Sequence, residues 1–404
     1  MSNPDASVAN GDAWTQTVFV ASVYFAQGVV PGLSLGALTD YLTAGGAPLP
    51  ATSQLAFWVG IPWTLSFVWG PVIDNVHLGR LPRRAGWIFA MAIAGAAALA
   101  IGMAVDVASD SITYLALAFA THSVFASIID ASTDALVVEM TPPDQVTRLH
   151  AWGRGGMLAG TAVAAALFAS MLPRFEFQMV VLTLMAMWTL PFAIAMACYR
   201  WRWENDPTPT SSEDTHPTIV DANDGGEIQS GDQTDGIYAE ILIANLFNRQ
   251  SLLTALGFAG LYAVYTIFRV LTNYDIIATN PPLQQSFTQW RSGVDFLVSI
   301  SMIFVAQTVL IRWTTRRQTI VTVATTAGLI GLCVAMMFTN AATPAAIVVY
   351  AAFLSLAKLL LYLTACRHFA SLSVPLTAGA QFTAYMALLN IAEVGTNGII
   401  SRLS

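Results

Sequence analysis

Eleven apolar stretches of helical length, separated by short polar joins, constrain this chain more than any other feature. They lie near 17–37, 54–74, 87–105, 112–137, 152–172, 178–199, 251–271, 292–311, 319–338, 344–366 and 377–400. A helix that crosses a bilayer needs roughly 20 apolar residues, and in lipid only helices or closed barrels satisfy the backbone. Barrel-like alternation is absent. With 55% hydrophobic residues, 10% charged ones and a mean hydropathy of +0.61, the chain carries more apolar surface than a globular fold of this length can bury. The expected fold is all-α, a polytopic transmembrane helical bundle whose solvent is the lipid bilayer.

Between the sixth and seventh stretches runs WENDPTPTSSEDTHPTIVDANDGGEIQSGDQTDG, rich in acidic, Ser, Thr, Pro and Gly residues with almost nothing to bury. Residues 203–236 therefore read as a disordered acidic linker between a bundle over 1–202 and a second one over 237–404, and most of the net charge of -7 comes from there. The segment YAEILIANLFNR after it has helical apolar spacing and reads as a short helix on the membrane face. Twelve arginines fall in loops on the linker's side (Arg80, Arg83 and Arg84 among them) against Arg174, Arg269, Arg291 and Arg402 on the other, which makes the linker and the N-terminus cytoplasmic. The polar N-terminus lacks the charged region and cleavage site of a signal peptide. No basic stripe suits nucleic acid, and Cys198, Cys333 and Cys366 are too scattered for a metal or a disulfide framework, so no metal and no cofactor is expected. No phosphate loop or nucleophile motif supports an ATP-driven pump or an enzyme.

Ionised side chains inside a span cost about 2.5–3.5 kcal/mol each, so each marks a candidate site. Asp130 and Asp134 lie four apart, on one helix face. They suit a proton or cation site; alternatively they close a polar network with Arg154 and Arg148 at the cytoplasmic end. His122, eight residues earlier, either extends a proton path or packs as a hydrogen-bonded histidine. His150 and His368 belong to the inner rim. Asp295 and Arg269 lie toward the outer face, in gating or surface roles. Gly156 and Gly160 form a G-x-x-x-G of the kind that packs helices closely.

The stretch FAQGVVPGLSLGALTDYLTAGGAPLP, then LAFWVGIPWTLSFVWGPVID and LPRRAGWI, resembles the AmpG-type muropeptide permeases of the major facilitator superfamily. The shared positions are Gly60, Pro62, Phe67, Trp69, Pro71, Asp74, Arg83, Arg84, Gly86 and Trp87, followed by Asp130, Asp134 and Ala135 in the fourth span. AGAQFTAYMALLN is similar to the eleventh span of the related acetyl-coenzyme A transporters. The family's second-span lysine is Ser66 here, and the glutamine before its first fourth-span aspartate is Ile129, which alters what the cavity can hold.

The resemblance implies two pseudo-symmetric halves, twelve spans where eleven are visible, a cell inner membrane location and a monomer. It implies a secondary transporter of alternating access, coupled to protons, for a small polar solute such as a muropeptide, amino sugar or peptide. The rival readings are a degenerate membrane sensor and a lipid flippase of the same fold. Within that frame Tyr24, Ser66, Tyr262 and Tyr265 line the cavity, or pack as interfacial residues. Asp74, Arg83, Arg84 and Arg154 gate its cytoplasmic end. Lys358, the chain's single lysine, sits in the symmetry mate of the fourth span; its partner is Asp130 or Asp134, or else Glu393, unless its side chain snorkels to the headgroups.

Overall fold

Continuous intrahelical hydrogen bonding dominates the computed structural model. It describes residues 4–78, 81–104, 112–140, 143–199, 243–308, 312–339, 343–372 and 378–403. The linker expected at 203–236 and residues 238–242 of the expected surface helix lie outside these residues, as do the side chains of Asp74, Arg83 and Arg148; residues 243–246 of that segment are helical. Helix α1 (Pro4–Pro31) passes through a π-helical turn, Gly32–Ala37, into α2 (Leu38–Ala44). Then come α3 (Leu49–Thr64), α4 (Ser66–Asn75), α5 (Arg83–Ile101), α6 (Ile112–Met140), α7 (Pro143–Met171) and α8 (Phe177–Tyr199). After the linker follow α9 (Arg249–Thr279), α10 (Gln284–Thr308), α11 (Thr315–Thr339), α12 (Pro344–Leu372) and α13 (Ala378–Ile400).

Among the described residues α1 with α2, α3 with α4, and each of α5 to α13 makes one traverse. Eight of these eleven are long and apolar enough to cross a membrane on that ground alone. The other three have physical reasons to fall short. The α3–α4 pair is interrupted at Leu65 (φ −99°, ψ 7°), α10 carries Arg291 and Asp295, and α13 carries Asn390, Glu393 and Asn397. Successive traverses run in opposite directions, so the molecule has a linker end, where α8 stops and α9 starts, and a far end.

Buried apolar side chains gather in two large clusters, one drawn from α1–α8 and the other from α9–α13. The first is held by close backbone approach. A Cβ on Gly28 would lie 2.0 Å from the Met157 carbonyl oxygen, and one on Gly160 would lie 2.1 Å from that of Phe25. Only glycine allows α1 and α7 so near, and Thr161 Oγ1 uses the approach to donate to the Gly28 carbonyl at 3.0 Å. The expected small-residue packing at Gly156 and Gly160 is thus the α1–α7 seam.

The two groups of helices meet along α3–α13 and α7–α10. Toward the far end these seams tighten. A Cβ on Gly60 would meet Val394 at 2.4 Å, one on Gly398 would meet Phe57 at 2.7 Å, and Asn390 donates to the Trp63 carbonyl at 3.3 Å. Pro31 offers no N–H to the helix, and the wide π turn after it leads into α2, whose Asp40 reaches α10.

Candidate functional site

The polar residues of the bundle fall at two depths. Toward the linker end, Tyr24 of α1 donates its phenolic hydrogen to Asp134 of α6, and His150 of α7 lies 3.5 Å from the same carboxylate. Gly153 makes this possible: a Cβ there would press on the Tyr24 ring at 2.7 Å. Asp130, one turn from Asp134, has Asp134, Arg154 and Tyr24 as its polar neighbours. The Arg154 guanidinium lies over the Tyr362 ring of α12, 4.5 Å from its centre, and so reaches from one helix group to the other. Although inside the bundle, the side chains of His150 and Asp134 are 37% and 47% exposed. The Asp134–His150 edge of the cluster is open to solvent, while Tyr24 is buried.

Toward the far end the charges are paired. Asp40 of α2 accepts from Thr288 at 2.6 Å and from Arg291 at 2.7 Å, both on α10, with the carboxylate and guanidinium almost wholly buried. This charge-assisted, doubly hydrogen-bonded carboxylate bridges the two helix groups. A second pair, Arg269 of α9 with Glu393 of α13 at 2.8 Å, lies within the second group. Tyr262 and Tyr265 lie in the second core, their ring centres 5.8 Å apart and their planes tilted by 48°.

Several sequence expectations are corrected here. Glu393 belongs to Arg269, not to Lys358, because α9 and α13 pack directly and bring the two charges together. Neither Asp130 nor Asp134 is within ion-pair distance of Lys358 among the described residues. The snorkelling alternative fails too: Lys358 is the midpoint of α12 and shares a face with buried Ala351, Leu354 and Ala365, while Val349 and Phe353 occupy the exposed one. Its helix ends are about 20 Å away in either direction, beyond the reach of one side chain. Arg269 is a bonded interior residue rather than a surface one.

His122 is a packing residue. It is 1% exposed, its Nδ1 is 3.0 Å from the Gly95 carbonyl oxygen and its ring meets Trp188 edge-on at 4.3 Å, in the core between α5, α6 and α8. Ser66 starts α4 at the Leu65 break and is half-buried. Arg84 is half-buried at the start of α5; the side chains of Asp74 and Arg83 lie outside the described residues. Two motif residues have structural work: Trp87 donates to the Val76 carbonyl at 2.8 Å, and a Cβ on Gly86 would meet the Leu78 carbonyl oxygen at 2.4 Å. Sequence reading passed over Asp40 and Thr288, which lie 248 residues apart. It also passed over Gln27, buried on α1 with neither amide atom partnered among the described residues.

The family description of the Major Facilitator Superfamily matches residues 16–394, and the chain belongs to that superfamily. Among solved structures the fold is similar to a mutant of the peptide transporter POT in complex with sulfate. The TM-score is 0.62 at 12% identity, covering 96% of this chain and 88% of that one. It is also similar to a mutant of the nucleoside transporter NupG, with TM-score 0.63 at 13% identity over 95% and 90% of the two chains. A POT family transporter in complex with 5-aminolevulinic acid gives 0.60 at 8% identity, over 96% and 89%. Identities this low speak for the shared fold alone.

Proposed function

We propose that the chain is a secondary active transporter of the inner membrane, N-terminus cytoplasmic, that moves a small polar solute with protons. The solute is of the muropeptide, amino-sugar or peptide kind. The observation that carries this reading is the asymmetry of its two polar layers: Asp134, one turn from Asp130 and open to solvent near the linker end, and a buried Asp40–Arg291 bridge near the far end. In alternating access the α1–α8 and α9–α13 groups rock about the α3–α13 and α7–α10 seams. The far-end bridge breaks when that side opens, and the carboxylates of Asp130 and Asp134 take up the proton that accompanies the solute. Tyr24 and His150 hold Asp134, and Arg154 on Tyr362 relays the contact between groups.

The test is uptake into proteoliposomes under an inwardly directed proton gradient, screening anhydro-muropeptides, amino sugars and small peptides. The expected result is uptake that dissipates the gradient and is abolished in Asp130→Asn. Uptake without proton movement, or an unimpaired Asp130→Asn variant, contradicts the coupling. Ligand binding with no uptake of any kind would instead make the chain a sensor.

A further inference from the structure

The outer faces of the two helix groups differ. In the first group α1 has no exposed residue between Thr15 and Leu38, because α8 lies over both α1 and α5. The Tyr199 ring meets Phe19 and Phe89, and Trp188 donates to the Ala92 carbonyl at 2.9 Å. In the second group α9 and α11 pack on each other, and α9 keeps an exposed stripe of Leu253, Leu256, Gly257, Gly260, Val264 and Ile267. These positions recur at helical spacing and share one face. A Cβ on Gly257 or Gly260 would meet nothing within 4 Å, unlike one on the glycines of the α1–α7 seam. A second exposed stripe runs along α11 through Ile320, Val323, Ala327 and Gly331.

Both stripes begin with exposed arginines at the linker end. Arg249 heads that of α9, and Arg316 and Arg317 head that of α11. None of the three forms an ion pair among the described residues. The Arg317 guanidinium lies 4.6 Å from the centre of the Trp313 ring, which packs on Leu360 and so fixes its place. Gly260 is about 16 Å along α9 from Arg249, the depth of one leaflet. Apolar stripes alone suit any lipid; the arginines above them select for charge.

We propose that this face of α9 and α11 seats an anionic phospholipid of the linker-side leaflet, its phosphate on Arg316 and Arg317 and one acyl chain along the α9 glycines. Guanidinium groups hold phosphate oxygens through paired hydrogen bonds, and a lipid with net negative charge adds a Coulomb attraction that a zwitterionic one lacks. Inside the bilayer the acyl chain is held by close packing, which the bare glycine backbone allows. The lipid thereby covers α9 and α11 as α8 covers α1 and α5. This site is independent of the solute that the chain carries.

The experiment is native mass spectrometry of the full chain in detergent, titrated with dioleoyl-phosphatidylglycerol or dioleoyl-phosphatidylcholine. The first phosphatidylglycerol should bind at least tenfold more tightly than phosphatidylcholine. Arg316→Gln combined with Arg317→Gln should weaken that binding roughly thirtyfold and leave phosphatidylcholine binding unchanged. Gly260→Phe, which fills the groove and alters no charge, should weaken it at least threefold, a change that attraction to a basic surface alone would not produce. Gly257→Leu gives a second reading should Gly260→Phe fold poorly. Equal binding of the two lipids overturns the proposal, as does phosphatidylglycerol binding that ignores the arginine changes or the filled groove. A dimer in the same spectra that Gly260→Phe dissociates also overturns it, because the groove would then belong to a second copy of the chain.

Discussion

The far-end bridge and the linker-end cluster use the same ingredients to opposite effect. Asp40 and Arg291 are 6% and 12% exposed and paired at 2.7 Å, with Thr288 donating to the same carboxylate; Asp134 and His150 are 47% and 37% exposed and lie 3.5 Å apart. One joins the helix groups between α2 and α10, while the other lies on the linker side, where Arg154 crosses to the Tyr362 ring. A carboxylate sealed under a guanidinium has one job, to hold; the one open to solvent beside a phenol and an imidazole is the one to which the proposed function gives the proton. Of the two polar layers, the far-end one is the more buried and the linker-end one the more exposed.

Breaking the bridge should have the largest effect. Asp40→Ala strands Arg291 in the seam and should destabilise the far-closed arrangement by about 3–5 kcal/mol. A cysteine placed at Asn390, in a chain with Cys198, Cys333 and Cys366 replaced, should then label many times faster from the far side; unchanged labelling would mean that Asp40 does not hold the seam. Tyr24→Phe removes a hydrogen bond to a charged group worth about 1.5–3 kcal/mol, and should slow proton-driven uptake tenfold or more while sparing the fold. Gly60→Val sharpens the comparison from the packing side: its side chain meets Val394, and overpacking of about 1–3 kcal/mol should hold the far end ajar and depress uptake without touching any charge. The smallest effect belongs to His122→Phe, which loses one buried hydrogen bond of about 1 kcal/mol. Thermal stability should fall slightly and uptake should persist; loss of uptake would return His122 to the proton path.

Much of the bundle was legible because membrane helices announce themselves locally. The spacing of Gly156 and Gly160 already specified a close helix contact, and Asp130 and Asp134 stood out because each is expensive where it lies. Partnerships were less visible. Asp40 and Arg291 are 251 positions apart, near helix ends where charge is unremarkable, and only the meeting of α2 and α10 makes them a pair. Sequence symmetry draws Lys358 toward the carboxylates, yet packing gives Glu393 to Arg269, and among the described residues the lysine forms no ion pair. The case of His122 is the reverse: a titratable residue beside a charged motif faces away from it, because its turn of α6 packs on α5 and α8.

The most direct test of the account is a pair of pulsed electron-resonance distances in lipid nanodiscs. One pair of spin labels spans the far end, at Ala47 and Gln285, and the other spans the linker end, at His77 and Arg316. The wild type should show a short far-end distance and a long linker-end distance as its main population, and Asp40→Asn should lengthen the first and shorten the second together. Distances that do not respond to Asp40→Asn, or that lengthen at the far end with no change at the linker end, would contradict a bridge that governs alternating access.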